Sequence, residues 1–490
     1  MPAERVLVID AGTSALRAIA VTAEGTVEVV SAEALPTVRP RGGSEFAREF
    51  SHAFEDRAYA SLLEQAAVRT PDVAALAFTG QREALACIAS NGQPVMLSPN
   101  TDARAAGEGA AFDARLGERV YDTTGHLPSL LMAPAKLAWL RAHRPDDAAR
   151  VHAVLPFADW LAARLTGEPK ASRNLTCEIG LIDVGSGASA RELSVELVGA
   201  DAAEALHRAE IVDEAEVAGV VREGPFKDVP VVLAGGDTQC GALGGGAAQD
   251  GDCAVVAGWS APLQLVLDRP LLDAKRRTWT GMHVVPGHWV LESSAGDTGV
   301  AWTSICSLLA VDAEQGDSLA REAEAGAEDT LMVLGRAPMN AAGMAAGVGA
   351  ITFPLPFAAW PLRKRAVARA ALEAAAYAVR ANLEQLEEVS GRRIDVLRMG
   401  GGMSRSALFA QIVADVLDRP VEVARSPETT ALGAAALAFV AVGVHRSIDE
   451  AVAAMALPTR RVTPDARDSA TYDDCYARWR EMLLHMERSP

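Results

Sequence analysis

The sequence predicts two α/β domains, each opening with strands and continuing into long helices. Three observations carry this. Compact apolar runs at residues 5–10 and 229–234 each lead into a glycine-bearing turn. Long helical patterns follow in both halves, with no repeat of solenoid length. Half of the 490 residues are apolar, enough to bury more than one large core.

The elements follow in order. Residues 5–10 (RVLVID) read as a buried strand, Ala11-Gly12-Thr13-Ser14 as a tight turn, 16–22 as a second strand, and 26–30 as a third after Glu24-Gly25. Together they form a β-meander. Helical periodicity covers 45–69, and 73–79 is the next strand. A mostly helical stretch runs to about residue 200, with helices near 104–116, 133–142 and 158–165. Strand 229–234 meets a turn at Gly235-Gly236-Asp237, and 253–257 is a strand ending at Gly258. Helices follow at 363–390, 406–417 and 430–442, and 396–399 leads into Gly400-Gly401-Gly402. The domains are placed at 1–240 and 241–490.

Composition excludes several function classes. The formal net charge is −18 with no Lys/Arg run, which argues against a nucleic-acid partner. The six cysteines are scattered without a CxxC pair, as for reduced thiols rather than a disulfide framework or zinc site. Glu4 and Asp10 flank the first apolar stretch, which does not suit a signal peptide. The longest uncharged apolar run, 431–444, is too short to span a bilayer. The expectation is a cytoplasmic protein with no membrane partner. A homodimer is compatible with the sequence, which carries no signature of oligomeric state.

Four polar or glycine-centred turns carry the chemistry. Glycine lets backbone approach a phosphate closely, and the exposed N–H groups point at the anion. None is a P-loop or a dinucleotide fingerprint, since the chain has no Gly-Lys-Ser/Thr and no GxGxxG in the required context. The first turn, Asp10-Ala-Gly-Thr13-Ser14-Ala-Leu-Arg17, offers a carboxylate, two hydroxyls and a cation, the groups that phosphoryl transfer needs around Mg²⁺. The bland alternative is an ordinary hairpin turn. The second, Gly235-Gly236-Asp237, puts a lone Asp at a strand end, where it suits a general base or merely closes an Asx-turn. The third, Met399-Gly-Gly-Gly-Met-Ser-Arg-Ser406, suits a flat ring against backbone or tight strand–helix packing. The fourth, Gln81-Arg82-Glu83 with Asn100-Thr-Asp102-Ala-Arg104, has the donors and acceptors that read several hydroxyls; taken alone it reads better as a surface salt-bridge cluster.

Taken together these stretches resemble the FGGY carbohydrate kinases. Asp10-x-Gly-Thr13 with Arg17 is similar to the family's first phosphate motif, and Gly236-Asp237 to the motif with the catalytic base. Gly400-Gly-Gly-x-Ser404-x-Ser406, Gln411-x-x-Ala-Asp415 and Glu428-x-x-Ala431-x-Gly433-Ala434-Ala435 are similar to the adenosine motif. Arg82-Glu83, the Asn100–Arg104 stretch, His283-x-x-Pro-Gly287 and Tyr472…Trp479 look most like an autoinducer-2 kinase-like branch. Xylulokinases usually carry Met-His at the Arg82-Glu83 position.

The resemblance implies two ribonuclease-H-like domains of the actin/sugar-kinase superfamily, with Mg-ATP in an interdomain cleft. It implies Asp10 for the metal, and Thr13, Ser14, Arg17, Gly258 and Ser260 for the phosphates. Gly401, Gly402 and Ser406 would take the adenosine side. Arg82, Glu83, Asp102 and Asp237 would grip a small sugar, polyol or autoinducer-2-like substrate, and Asp237 would be the catalytic base. One position departs: the second phosphate motif usually reads Gly-Thr, and here it is Gly258-Trp259-Ser260. Either Ser260 takes over the hydroxyl's role or γ-phosphate handling is altered. The alternatives are an impaired sugar-binding sensor of the same fold and another actin-superfamily ATPase.

Overall fold

The computed structural model describes residues 5–40, 45–335, 337–343, 349–355, 362–455 and 460–488. The chain forms two units. The first comprises Met1–Asp250, Val266–Leu291 and Thr429–Leu457; the second comprises Gly251–Leu265, Glu292–Glu428 and Pro458–Pro490.

The first unit is built on a six-stranded sheet. Its strands are β1 (Arg5–Ala11), β2 (Ala15–Thr22), β3 (Val27–Ala34), β4 (Ala75–Gly80), β5 (Val217–Val220) and β6 (Pro230–Gly236), in the order β5-β6-β4-β1-β2-β3. The expected meander is present: β1 pairs β2 and β2 pairs β3, both antiparallel. β4 lies parallel to both β1 and β6, so three strands end at the same edge.

Alternation along β1 divides the core. Leu7 and Ile9 face a layer that includes Leu62, Phe157 and Leu161. Val6 and Val8 face the opposite layer, with Leu243 and Leu437. The first layer belongs to helices α1 (His52–Arg69) and α4 (Phe157–Thr166). The second belongs to α6 (Asp237–Gly244) and the helix Thr429–Ala441. Those two helices touch backbone to backbone. A Cβ on Gly433 would overlap the Cys240 carbonyl, and one on Gly244 would overlap the Thr429 carbonyl. Only glycine at both positions allows that approach. Along the chain, α2 (Ala106–Thr124) and α3 (Ala133–His143) come between α1 and α4, and α5 (Arg173–Glu178) between α4 and α6.

Three boundaries differ from the sequence expectation. Helix α1 starts at His52 rather than 45, because Glu49–Phe50 is extended and Phe50 stacks on Phe157 with ring centroids 4.4 Å apart. Helix α2 runs through Gly117 and stops at Gly125, which takes the left-handed conformation at φ 74°. The expected turn at 235–237 is instead the end of β6 followed directly by α6, with Asp237 as that helix's first residue.

The second unit contains β7 (Cys253–Val256), most of β8 (Pro262–Leu267), β9 (Leu397–Gly400), β10 (Val421–Val423) and β11 (Arg460–Val462). β7 pairs β8 antiparallel and β9 parallel, β9 pairs β10 parallel, and β10 pairs β11 antiparallel. Its helices include α7 (Thr298–Leu308), α8 (Ala313–Arg321), α9 (Lys364–Ser390) and α10 (Ala407–Leu417). All six cysteines are buried free thiols. Among the described residues, no helix is long and apolar enough to cross a membrane.

Candidate active site

In the first unit, the three parallel strands deliver chemistry at one edge. Asp10 is the last residue but one of β1, Arg82 lies two residues beyond β4, and Asp237 follows β6 directly. Neighbouring strands lie roughly 4.8 Å apart, so the backbones carrying the two carboxylates are about 10 Å apart, across β4. Asp10 shares its face of β1 with Val6 and Val8, the face covered by α6, whose first residue is Asp237.

Asp10 is buried and paired in register with Arg17 on β2. Arg17 Nη2 lies 2.5 Å and Nε 3.1 Å from Asp10 Oδ2. Asp237 keeps part of its surface exposed. Its carboxyl is nevertheless pushed up to about 6, first by burial and then by the charge of Asp10, against the opposing pull of Arg82 and of Thr238. Thr238 Oγ1 donates to Asp237 Oδ1 at 3.2 Å, and Thr430 Oγ1 donates to the Asp237 carbonyl at 3.0 Å.

Gln81 ties the first turn to the Asn100 turn. Its Nε2 donates to the Gly12 carbonyl at 2.9 Å, and its Oε1 accepts from the Asn100 amide at 2.9 Å. Asn100 Nδ2 reaches Thr13 Oγ1 at 3.4 Å, and Ser14 is exposed beside it. Arg82 stacks over Trp279 at 5.5 Å and pairs with Glu178 at 3.3 Å. Glu83 has φ 56°, a left-handed backbone that costs a glutamate energy, and its carbonyl accepts from the buried Lys136 at 2.7 Å.

Asp102 corrects the sequence expectation. It has 0% of its surface exposed. Oδ2 accepts from Ser98 Oγ at 2.7 Å and from Arg104 Nε at 2.7 Å, and Oδ1 accepts from the Arg48 amide at 3.0 Å. It fixes Arg104 and the 99–104 turn rather than presenting oxygens to a ligand. Sequence reasoning in turn missed Glu178, His126, Gln239 and Trp279, which gather around Arg82. Two buried acceptors, Asn100 Oδ1 and Gln239 Oε1, have no hydrogen-bond partner among the described residues. Such atoms suit hydroxyl donors.

In the second unit, a cavity of about 1060 Å³ is lined by Gly258, Trp259, Trp302, Asp317, Gly402 and Ser406, among others. The expected residues Ser260 and Gly401 belong to the two turns that shape it, and the Met403 amide donates to the Ala257 carbonyl at 2.9 Å between them. Ser406 caps α10, accepting from the Phe409 amide at 2.9 Å, and its hydroxyl donates to Asp317. Trp259 is 59% exposed. The lining includes Asp317, which carried no motif in the sequence.

Among the described residues no group of three or more His, Cys, Asp or Glu could hold a metal ion. Mg²⁺ is commonly held by one or two carboxylates together with substrate phosphates. Asp10, a buried carboxylate at the sheet edge beside the Thr13 and Ser14 hydroxyls, is a donor that fits it.

The N-terminal domain model of the FGGY family of carbohydrate kinases matches residues 5–244, and the C-terminal domain model matches 253–442. An autoinducer-2 kinase from Salmonella typhimurium (strain LT2) is 29% identical, covering 96% of this chain and 93% of its own. One from Enterobacter sp. (strain 638) is 28% identical with the same coverage. The crystal structure of a ligand-bound xylulose kinase from Lactobacillus acidophilus superposes with a TM-score of 0.85 at 17% identity, covering 99% of each chain, which speaks to the fold.

Proposed function

The chain belongs to the FGGY family of carbohydrate kinases, and from that premise we propose that it transfers the γ-phosphoryl group of ATP to a hydroxyl of an autoinducer-2-like dihydroxy-dione or a short polyol, with Asp237 as general base. The observation that carries the reading is the set of Asp10, Arg82 and Asp237 at the ends of three adjacent parallel strands. The names of the relatives at 28% and 29% identity support the dihydroxy-dione as first candidate.

In this reading residues 1–240 bind the sugar and the transferred phosphate, and 241–490 bind adenosine. Asp237, with its carboxyl pushed up to about 6, is ionised at neutral pH yet basic enough to take the proton of the attacking hydroxyl. Arg82 and Glu83 grip substrate hydroxyls, and Asn100 Oδ1 and Gln239 Oε1 accept from others. Thr13, Ser14 and Arg17 hold phosphate oxygens. Asp10 would hold Mg²⁺, which when bound would supply positive charge against the phosphate oxygens. The Gly258 and Ser260 turn receives phosphate, and Gly401, Gly402 and Ser406 border the adenosine. Asp102 supports the substrate turn from behind. Phosphoryl transfer leaves little covalent work for the protein, so positioning and electrostatic stabilisation supply most of the acceleration.

The test is a coupled-ADP assay with autoinducer-2, glycerol, erythritol, D-xylulose and D-ribulose as acceptors. Turnover on autoinducer-2 well above the others supports the first candidate. ADP release with none of them, at rates no higher than with water, overturns the kinase reading.

A further inference from the structure

Glu178 closes α5 with 1% of its surface exposed, and three elements converge on its carboxylate. Oε2 lies 3.3 Å from Arg82 Nη1 and 3.6 Å from His126 Nε2. Oε1 accepts from Gln239 Nε2 at 2.7 Å. Burial alone would raise the Glu178 carboxyl; Arg82 and His126 outweigh it and hold the pKa below the ordinary value. Burial likewise opposes charge on His126, and Glu178 outweighs it in turn. His126 Nδ1 faces the Thr124 carbonyl at 2.7 Å, which assigns a proton there and leaves Nε2 for Glu178.

The same cluster frames Arg82 from below. Its guanidinium stacks over Trp279 at 5.5 Å, and His126 lies against that ring at 5.3 Å. Trp279 is itself anchored, donating through Nε1 to the Leu127 carbonyl at 2.6 Å. The packing leaves no slack at Gly281, where a Cβ would lie 2.7 Å from Glu178 Oε1. Arg82 also packs against the residue before Asp237: a Cβ on Gly236 would lie 3.1 Å from Arg82 Cγ. The guanidinium is therefore fixed by a buried carboxylate, on a side chain that borders the start of α6, where Asp237 stands.

We propose that Glu178 is a positioning residue for substrate binding: it holds Arg82 back from Asp237, keeping the guanidinium's outward N–H groups directed at the acceptor's hydroxyls. This rests on the reading of Arg82 as a substrate grip. Without Glu178, Arg82 closes on Asp237 and the substrate loses its donors. Hydrogen bonds to a charged donor are strong enough for that loss to appear as roughly a ten-fold effect.

The test uses the full chain, MgATP and whichever of glycerol, erythritol, D-xylulose, D-ribulose or autoinducer-2 turns over fastest. Glu178→Gln should raise the acceptor KM about ten-fold while the MgATP KM and the melting temperature stay unchanged. The double variant Arg82→Met/Glu178→Gln should be no worse than Arg82→Met alone, because one substitution acts through the other. An unchanged acceptor KM in Glu178→Gln, or effects that multiply in the double variant, overturns the inference and leaves the role of Arg82 standing. An unchanged acceptor KM in Arg82→Met removes the reading beneath it, and the inference with it. If Glu178→Gln melts early, Gly281→Ala serves instead: its Cβ presses on the carboxylate without removing charge, and it should raise the acceptor KM in the same way. No rise there also overturns the inference.

Discussion

Asp10 and Asp237 stand at the ends of β1 and β6 with only β4 between them, and after burial the charge of Asp10 is the largest influence pushing the Asp237 carboxyl up to about 6. The repulsion follows from topology. Parallel strands β1, β4 and β6 end at one edge, and α6 begins immediately after β6. Such an arrangement costs folding energy, and it provides what phosphoryl transfer to an alcohol requires. One carboxylate lies where a cation binds, and its neighbour has the basicity to take a proton near neutrality.

Removing the base is the first test. Asp237→Asn should lower kcat by about 10²–10⁴ while the far-ultraviolet circular dichroism stays unchanged. In the native protein, kcat/KM should fall below about pH 6, as Asp237 takes up the proton it must lack to act. The sign for stability is opposite. A folded-state pKa raised above the unfolded value means that ionised Asp237 opposes folding above pH 6, so the Asn variant should melt higher than wild type at pH 8. Near-normal turnover in Asp237→Asn would take the base role from this residue.

The helix contact behind the base gives a second prediction. Gly433→Ala places a Cβ into the Cys240 carbonyl, within the helix that begins at Asp237. Overpacking of this kind costs about 1–3 kcal/mol or more, since backbone rather than a flexible side chain must move. The variant should melt earlier and lose turnover together, read by calorimetry and the coupled-ADP assay. Ala434→Gly, one residue along the same helix, should lose stability with a smaller effect on turnover.

Much of the site was legible because its residues border strands. The run at 5–10 and the turn after it announced β1 and Asp10, and the run at 229–234 announced β6 and Asp237. Less legible was what apolar patterns leave unsaid. The helix Thr429–Ala441 is apolar on nearly every face, so its sequence does not reveal which sheet it covers; it packs in the first unit, against residues of β1, β4 and β6. Glu178 and His126 lie far apart in the chain and form no motif; only tertiary packing brings them to Arg82. Asp102 misled for the converse reason: a polar residue beside a substrate-reading stretch looks the same in sequence whether it faces ligand or, as here, faces Arg104 and Ser98.

Trp259 offers a third test. It is 59% exposed and lines the cavity of the second unit, and in the proposed reading its indole would cover part of the nucleotide. ATP should quench the intrinsic fluorescence, and Trp259→Phe should lose much of that signal. Stacking on a tryptophan is worth about 0.5–1.5 kcal/mol beyond burial, so Trp259→Thr should raise the ATP KM roughly two- to ten-fold with kcat little changed. A large gain of kcat in Trp259→Thr would instead favour a chain whose native tryptophan impairs catalysis, which is the sensor reading.

Lys136 gives a fourth, through pH. It is fully buried, and its Nζ donates to the Glu83 carbonyl at 2.7 Å and lies 3.5 Å from the Pro99 carbonyl, joining two turns of the substrate region. Burial lowers its pKa to about 8, against the nearby carboxylates Asp102 and Glu83. A lysine whose folded pKa is depressed binds fewer protons folded than unfolded between about pH 8 and its ordinary value, so its contribution to stability improves as pH rises through that window. Buried thiols act in the opposite sense. Burial pushes Cys87 up to about 12, and Cys177, Cys240 and Cys253 are raised as well, so each favours the folded state less once the unfolded thiol ionises. The net slope of wild type is therefore uninformative, and the difference between two proteins is needed. Urea midpoints at pH 7.5 and 9.5 for wild type and Lys136→Met supply it: the thiol contribution cancels, and the gap between the proteins should shift in favour of wild type at the higher pH. Lys136→Met should also raise the acceptor KM, because the left-handed backbone at Glu83 loses the donor that holds its carbonyl. A pH-independent gap would mean that Lys136 keeps an ordinary pKa inside the core and that its charge is balanced by the carboxylates around it.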